Sequence, residues 1–166
     1  MSPRWRRFRG GPDGGLIMSL APQELEVLAG LPDQLRAVFD APAEDAGARR
    51  LFPPAYLDPG EDEAEEMWEA MVHPDLLRQR LDALELVTGA LTRATPNKEW
   101  REITLTPDEV QAWLGVLNDT RLVLGTRLGV TEGEPDIDPE GPDAGAYNVY
   151  YWLTHLQGEL IDALLG

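Results

Sequence analysis

The chain contains two histidines, the side chains that titrate near neutral pH without perturbation. His73 stands at a predicted helix junction, where a capping or surface role is the ordinary interpretation. His155 shortly follows an aromatic run that includes Tyr151, and Arg121 and Arg127 lie on the preceding predicted helix. A histidine in an aromatic-lined pocket can bind a small ligand, although an aromatic helix face more often belongs to the core. This face is therefore one candidate site, for a small-ligand-binding or enzymatic module.

The motifs that catalysis and cofactor binding usually need are missing from the sequence. It contains no cysteine, which excludes disulfides, thiolate nucleophiles and cysteine metal ligands. The patterns GxGxxG, Walker A, GxSxG and HExxH are also absent. The run DIDPEG has the spacing of a calcium loop, but Tyr147 occupies the position of the required bidentate glutamate. We therefore expect a non-enzymatic protein with no catalytic residue, metal or cofactor.

The charge of the chain is strongly acidic, with 30 acids against 14 bases and a net charge of −16. Such a surface repels nucleic-acid phosphates and anionic lipids, so neither direct nucleic-acid binding nor membrane binding is expected. Two acidic segments, Glu61–Glu69 and Glu132–Asp143, indicate instead a protein partner with a basic surface. Glu61, Glu63 and Glu66 are the candidate contact residues. Because no long apolar run or signal-peptide segment is present, we expect a cytoplasmic protein.

The N-terminal segment RWRRFR interleaves arginines with aromatic residues, and Arg6 and Arg7 are further candidate contact residues. Proteins use this mixture on single-stranded nucleic acids and on anionic peptides. Its four arginines are too few for tight non-specific binding to DNA, which depends on the number of phosphates neutralised. The alternative is an ordinary edge strand, whose exposed arginines discourage pairing with other strands.

The spacing of apolar residues predicts an α+β protein that is predominantly α-helical. A Gly/Pro/Asp-rich loop between two short β-like runs predicts an N-terminal β-hairpin. A third short strand is predicted over Trp100–Leu105, between a turn at TPNKEW and a capped helix that starts at Thr106. These strands pack with about four to five helices, one of which Pro32 is expected to kink or split. At 166 residues, the chain is expected to form a single domain, residues 1–166.

Residues 16–40 and 101–125 read alike at an offset of 85 residues. Each segment runs from a strand, through a proline at the first helical position, into an amphipathic helix. They are either a structural repeat or two products of the same capping physics, and in both cases they are scaffold. The matched arginines either hold a carboxylate or carbonyl or extend to solvent, and the second role is expected. Identical pairs include Pro22 with Pro107, Glu24 with Glu109, and Arg36 with Arg121.

Three segments carry a resemblance to a known family: RLFPPAY at Arg50 to Tyr56, LNDTRLVLGTRLGV at Leu117 to Val130, and the closing YYWLTHLQGELIDALL. Together they resemble the actinobacterial oxidative stress regulator AosR family, which began as a family of unknown function. The resemblance covers nearly the whole chain. It implies a regulatory protein that acts through protein–protein contacts, with a sigma factor as the partner, in an oxidative-stress response.

One departure from a redox-sensing regulator is the complete lack of cysteine. Oxidation of a thiol therefore cannot be the signal that this chain detects. Met18, Met67 and Met71 can be oxidised, but methionine sulfoxide is more often a damage product than a signal. The resemblance thus supplies a regulatory, protein-binding role without a sensing mechanism, and the sequence leaves the oligomeric state open.

Overall fold

A computed structural model describes residues 6–40, 45–51, 73–129 and 140–166 of the chain. It confirms the predicted class, because the chain is mostly helical with a small antiparallel sheet. The strands are β1 Phe8–Gly10, β2 Leu16–Leu20, β3 Thr95–Asn97 and β4 Trp100–Leu105. The helices of the described residues are α1 Pro22–Phe39, α2 Ala46–Leu51, α3 His73–Thr92, α4 Pro107–Leu128 and α5 Ala144–Leu165.

The four strands form one antiparallel sheet in the order β1-β2-β4-β3. Phe8 pairs with Met18, which in turn pairs with Ile103 on β4. Directly paired residues project to the same face of a sheet, and all three of these side chains are buried. On the opposite face Arg9 and Thr104 are exposed. One face of the sheet therefore belongs to the core, and the predicted N-terminal hairpin and third strand are confirmed.

The fourth strand corrects the predicted turn at TPNKEW. Thr95–Asn97 pairs with β4, and the turn is confined to Lys98 and Glu99. Lys98 has a φ of 56°, a left-handed conformation that is common at tight turns. All three residues of β3 are exposed, so the strand has no apolar alternation by which the sequence could indicate it.

The starts of α1 and α4 explain why both helices begin where they do. In α4 the Thr106 hydroxyl accepts the Glu109 N–H at 3.2 Å, and the Glu109 carboxylate accepts the Thr106 N–H at 3.1 Å. This is the predicted capping box. In α1 the cap is Ala21, which has no side-chain oxygen, so only the second half of the box forms, from Ala21 N–H to Glu24 at 2.8 Å. Helix α1 continues through the buried Pro32, so the expected split does not occur.

The core lies between the buried face of the sheet and the helices. Trp113 and Leu117 from α4 are buried with Leu84 from α3. Helix α5 closes the cluster with three leucines at spacings of three and four residues, so they lie on one side of the helix. These leucines, all fully buried, are Leu153, Leu156 and Leu160.

The pairing of the two central strands, β2 and β4, follows the 85-residue offset between the two similar segments. At that offset Met18 corresponds to Ile103, and these two residues are also paired with each other in the sheet. Leu16 pairs with Leu105, the counterpart of Leu20. The pairing of β2 with β4 is therefore unchanged when the two segments are exchanged. Each strand then leads into a helix that starts with a proline.

Candidate functional site

Arg7 lies in a different environment from the one its sequence position indicates. It immediately precedes β1, and strand alternation would place it on the exposed face beside Arg9, but its side chain is only 7% exposed. The prediction of an exposed arginine at this position was wrong, because the first turn of α1 and the middle of α5 cover this end of the sheet. The guanidinium donates to both carboxylate oxygens of Glu24, at 2.8 and 2.9 Å. Its Nε lies 3.3 Å from a carboxylate oxygen of Glu159.

Five side chains around this arginine form a connected group, which we call the Arg7 network: Arg7, Glu24, Trp152, Glu159 and His155. The indole N–H of Trp152 donates to Glu24 at 3.2 Å. At the other end, Nε2 of His155 lies 2.8 Å from Glu159, and the imidazole is 72% exposed. The network therefore joins the edge of the sheet to α1 and α5, and it runs from a buried cation to a solvent-exposed histidine.

The protonation of Glu24 follows from its partners. Partial burial by itself would raise the pKa of this carboxyl. Hydrogen bonds from Arg7, from the Ala21 N–H and from Trp152 outweigh that effect and hold the pKa of Glu24 below its ordinary value. Glu24 is thus ionised at neutral pH, and its charge is compensated by the buried guanidinium. These are the properties of a group that holds helices in place.

A simpler version of this arrangement occurs at the start of α4. Arg93 donates to Glu109 at 2.5 Å and to the Thr104 carbonyl at 3.0 Å. Burial would raise the pKa of Glu109, but the bonds from Arg93 and Thr106 lower it overall. In the first segment, Arg7 likewise reaches both the matching Glu24 and, at 3.4 Å, the carbonyl of Ser19. Each helix start is therefore fixed by an arginine that comes from outside its own segment.

The residues of the predicted ligand site lie on two helices, with Arg121 and Arg127 on α4 and Tyr151 and His155 on α5. Arg121 donates through Nη1 to the side-chain oxygen of Gln157. Arg127 is half exposed and lies 3.8 Å from Asp45. Tyr151 is 44% exposed, with its ring edge-on to a neighbouring tyrosine. No hydrogen bond or ion pair among the described residues joins either arginine to Tyr151 or His155.

Other candidates from the sequence also have defined positions. Arg6 is exposed at the N-terminal end of the described chain. Arg36 is exposed and lies 3.8 Å from Asp33, one helical turn away. The acids Glu61, Glu63 and Glu66 lie outside the described residues.

One buried ion pair escaped the sequence-based interpretation. Nε of Arg80 on α3 lies 3.2 Å from Asp119 on α4. Burial raises the pKa of Asp119, and the nearby Arg80 offsets only part of that effect. The signal available in the sequence was an aspartate between the apolar residues Leu117 and Val123, on the side of α4 that faces the core.

Two concave regions lie beside the Arg7 network. A groove of about 300 Å³ lies between α1 and α5 and has apolar walls formed by Val27, Val149 and Trp152. A larger cavity of about 760 Å³ separates β1 from the C-terminal end of α5. It is lined on the strand side by Arg6 and Arg9, among others. Within the described ranges, no group of three acids or histidines is arranged to hold a metal ion. Nor does any helix among them combine the length and apolarity needed to cross a bilayer.

Comparison with known proteins identifies relatives over almost the full chain. The model of the domain of unknown function DUF2017 matches residues 2–164. Proteins named oxidative stress regulator AosR from Mycobacterium bovis and Mycobacterium tuberculosis are each 28% identical over 98% of this chain and 88% of their own length. A Mycobacterium leprae protein that has a provisional form of this name is 32% identical over 86% of this chain and 67% of its own. No solved structure matches the chain.

Proposed function

The chain belongs to the DUF2017 family, and we propose that it is a non-enzymatic regulator of the oxidative-stress response that acts by binding a sigma factor in the cytoplasm. The observation that carries this proposal is the similarity to proteins named oxidative stress regulator AosR, which extends over 98% of the chain. The regulatory signal does not come from a thiol, because the sequence contains no cysteine.

The geometry supports a role in binding rather than in chemistry. The charged groups with lowered pKa values, Glu24 and Glu109, are both held by arginines at helix starts. Asp119, whose pKa is raised, is paired with Arg80 between two packed helices. These groups therefore stabilise the arrangement of the helices, and of the three carboxylates Glu24 also borders a groove, the one between α1 and α5. What the protein offers to a partner is its outer surface, and the net charge of −16 makes that surface attractive to basic proteins.

The proposal is tested by titrating the purified chain against each sigma factor of its own cell, with binding followed by biolayer interferometry. We expect one sigma factor to bind with a Kd at or below about 1 μM at low salt. Raising the ionic strength from about 0.05 to 0.5 M should weaken binding, chiefly by slowing association, because salt screens the acidic surface. A well-folded chain that binds no sigma factor at 50-fold higher concentration, about 50 μM, would show that the partner is wrong.

A further inference from the structure

Helix α5 has more exposed large apolar side chains than any other described element. Six large hydrophobic side chains of the described residues are exposed, and four of them belong to this helix. Leu165 is 82% exposed, and the other three are between 41% and 44% exposed. The four residues are Tyr151, Ile161, Leu164 and Leu165.

Three of these residues lie on one line along the helix. Together with two small residues they repeat at alternating intervals of three and four positions, which keeps side chains on a single helix face. We call this line the α5 seam: Tyr151, Thr154, Gly158, Ile161 and Leu165. Because the core leucines of α5 lie on the opposite side, the helix is apolar on two faces. A helix of that kind is ordinarily covered on both.

The middle of the seam has room for another helix. A Cβ atom added at Gly158 would meet no atom within 4 Å, so this position opens towards space that the described residues do not fill. Thr154, one turn earlier, is also small and exposed. Two short side chains between Tyr151 and Ile161 make a shallow depression, and small residues at such positions allow two helix backbones to approach closely.

The charges around the seam define the chemistry of its partner. From residue 128 to residue 166 the sequence contains acids but no lysine or arginine. Asp162 is exposed next to the seam, and Glu159 on the same flank is already paired with Arg7 and His155. A helix that packs here places one of its flanks beside the exposed Asp162, and a basic residue gains from that position.

A second copy of the chain is a poorer match than a basic partner. Two copies would bring together surfaces that each belong to a protein with a net charge of −16. A basic helix avoids the repulsion, and it gains association rate from the acidic surface.

We infer that the α5 seam binds an amphipathic helix of the partner protein, with apolar residues against the seam and basic residues along the flank that faces Asp162. This inference rests on the proposed function and adds the surface and the kind of element that is recognised. Close contact of the two helices occurs at Gly158.

The test uses a labelled 22-residue peptide with leucines at alternating three- and four-residue spacing and lysines along one flank. A second peptide keeps the leucines and replaces each lysine by glutamate. Binding is measured by fluorescence anisotropy to the full chain and to Gly158→Leu, whose added side chain fills the depression. The matched control is Gly115→Leu on α4, where an added Cβ likewise meets no atom within 4 Å. Both changes raise helix propensity, so neither should unfold the protein.

We expect the basic peptide to bind at least about tenfold more weakly to Gly158→Leu than to the wild type or to Gly115→Leu. The acidic peptide should bind more weakly than the basic one to all three. Equal binding of the basic peptide to wild type and Gly158→Leu would overturn the inference, as would equal affinity for the two peptides. Sedimentation that shows wild-type dimers, lost in Gly158→Leu, would assign the seam to a second copy instead.

The same variants separate this inference from the proposed function. If a sigma factor binds wild type and Gly158→Leu equally, the seam is not its site, whereas the proposed function stands. If no sigma factor binds but the basic peptide distinguishes the two proteins, the seam is a binding site for another partner.

Discussion

Replacing Arg7 by methionine tests whether the Arg7 network holds α5 and α1 to the sheet. Methionine keeps the apolar stem that packs in the buried position and removes the guanidinium. The variant loses two hydrogen bonds to Glu24 and the ion pair with Glu159. Two carboxylates then remain close to each other without the cation that compensates them.

The expected loss of stability follows from the exposure of these groups. Removing one partner of a fully buried ion pair costs about 3–5 kcal/mol. Glu24 and Glu159 are 23% and 27% exposed, so water can hydrate part of the charge that is left behind. We therefore expect Arg7→Met to lower the free energy of unfolding by about 2–4 kcal/mol. For a chain of this length that corresponds to a Tm lower by roughly 5–15 °C.

Two further arginines calibrate the measurement. Arg9 also pairs with a carboxylate, Glu102 at 2.7 Å, but it is 47% exposed, and Arg9→Met should cost less than about 1 kcal/mol. Arg93, which holds the start of α4 and is 49% exposed, should fall between them at about 1–2 kcal/mol. Urea unfolding followed by circular dichroism gives all three values.

A double-mutant cycle with Glu24→Gln isolates the pair itself. Because Arg7 and Glu24 share two hydrogen bonds, we expect a coupling energy of about 1–3 kcal/mol between the two changes. If Arg7→Met costs no more than Arg9→Met, or if the coupling is close to zero, the network contributes no more than a surface ion pair. The role assigned to the buried guanidinium would then be wrong.

Two predictions concern other parts of the scaffold. Because the pKa of Glu109 is lowered in the folded state, its charge stabilises the protein above the unfolded pKa, and this contribution is lost as pH falls through the folded pKa. Glu109→Gln should therefore lower the free energy of unfolding by about 1 kcal/mol at pH 7 and by progressively less below about pH 4.5. Urea unfolding of the wild type and the variant at several pH values measures this difference, and a difference that does not change with pH would contradict the prediction. Gly15→Ala places a Cβ 2.0 Å from the Leu105 carbonyl oxygen and should lower the free energy of unfolding by about 1–3 kcal/mol or more. Its control is Gly10→Ala, whose Cβ meets nothing within 4 Å and which should cost under about 1 kcal/mol. Equal melting temperatures of the two variants would refute the close approach at Gly15.

Local signals account for the parts of the fold that the sequence predicted. The Thr106–Glu109 capping box, the proline starts of α1 and α4 and the N-terminal hairpin depend on residues within about ten positions of one another. The interactions that form them can therefore be recognised within short segments of the sequence. Strand β3 was missed for the same reason, because its three exposed residues, Thr95–Asn97, contain no apolar alternation and acquire their pairing only from β4.

The Arg7 network could not be predicted because its members are distant in the sequence. Trp152 and Glu24, which share a hydrogen bond, are separated by 128 residues. Alternation along β1 indicated that Arg7 would be exposed, and that indication was overridden when α5 packed over the end of the sheet. The aromatic residues before His155 illustrate the same difficulty. Trp152 turns inward to Glu24, whereas Tyr151, its neighbour, turns to solvent.

Helix α5 is the element that makes the two strand–helix segments unequal. The β2–β4 pairing is symmetric about Met18 and Ile103, and each segment ends in a helix whose third residue is a glutamate held by an arginine. That residues 16–40 and 101–125 form a true repeat stays a prediction. Because the two segments have similar geometry, the differences between them come from the elements that pack against each one.

Because α5 packs beside only one of the two helix starts, Arg7 is more deeply buried than Arg93 and has Glu159 as a second acidic partner. The inner face of α5 completes the core with its leucines, and one flank supplies Trp152 and Glu159 to the network. Its remaining face is directed to solvent and still contains Tyr151, Ile161 and Leu165. Stability alone gives no reason to keep large apolar side chains there, and this is the observation from which we infer that the α5 seam binds a partner helix.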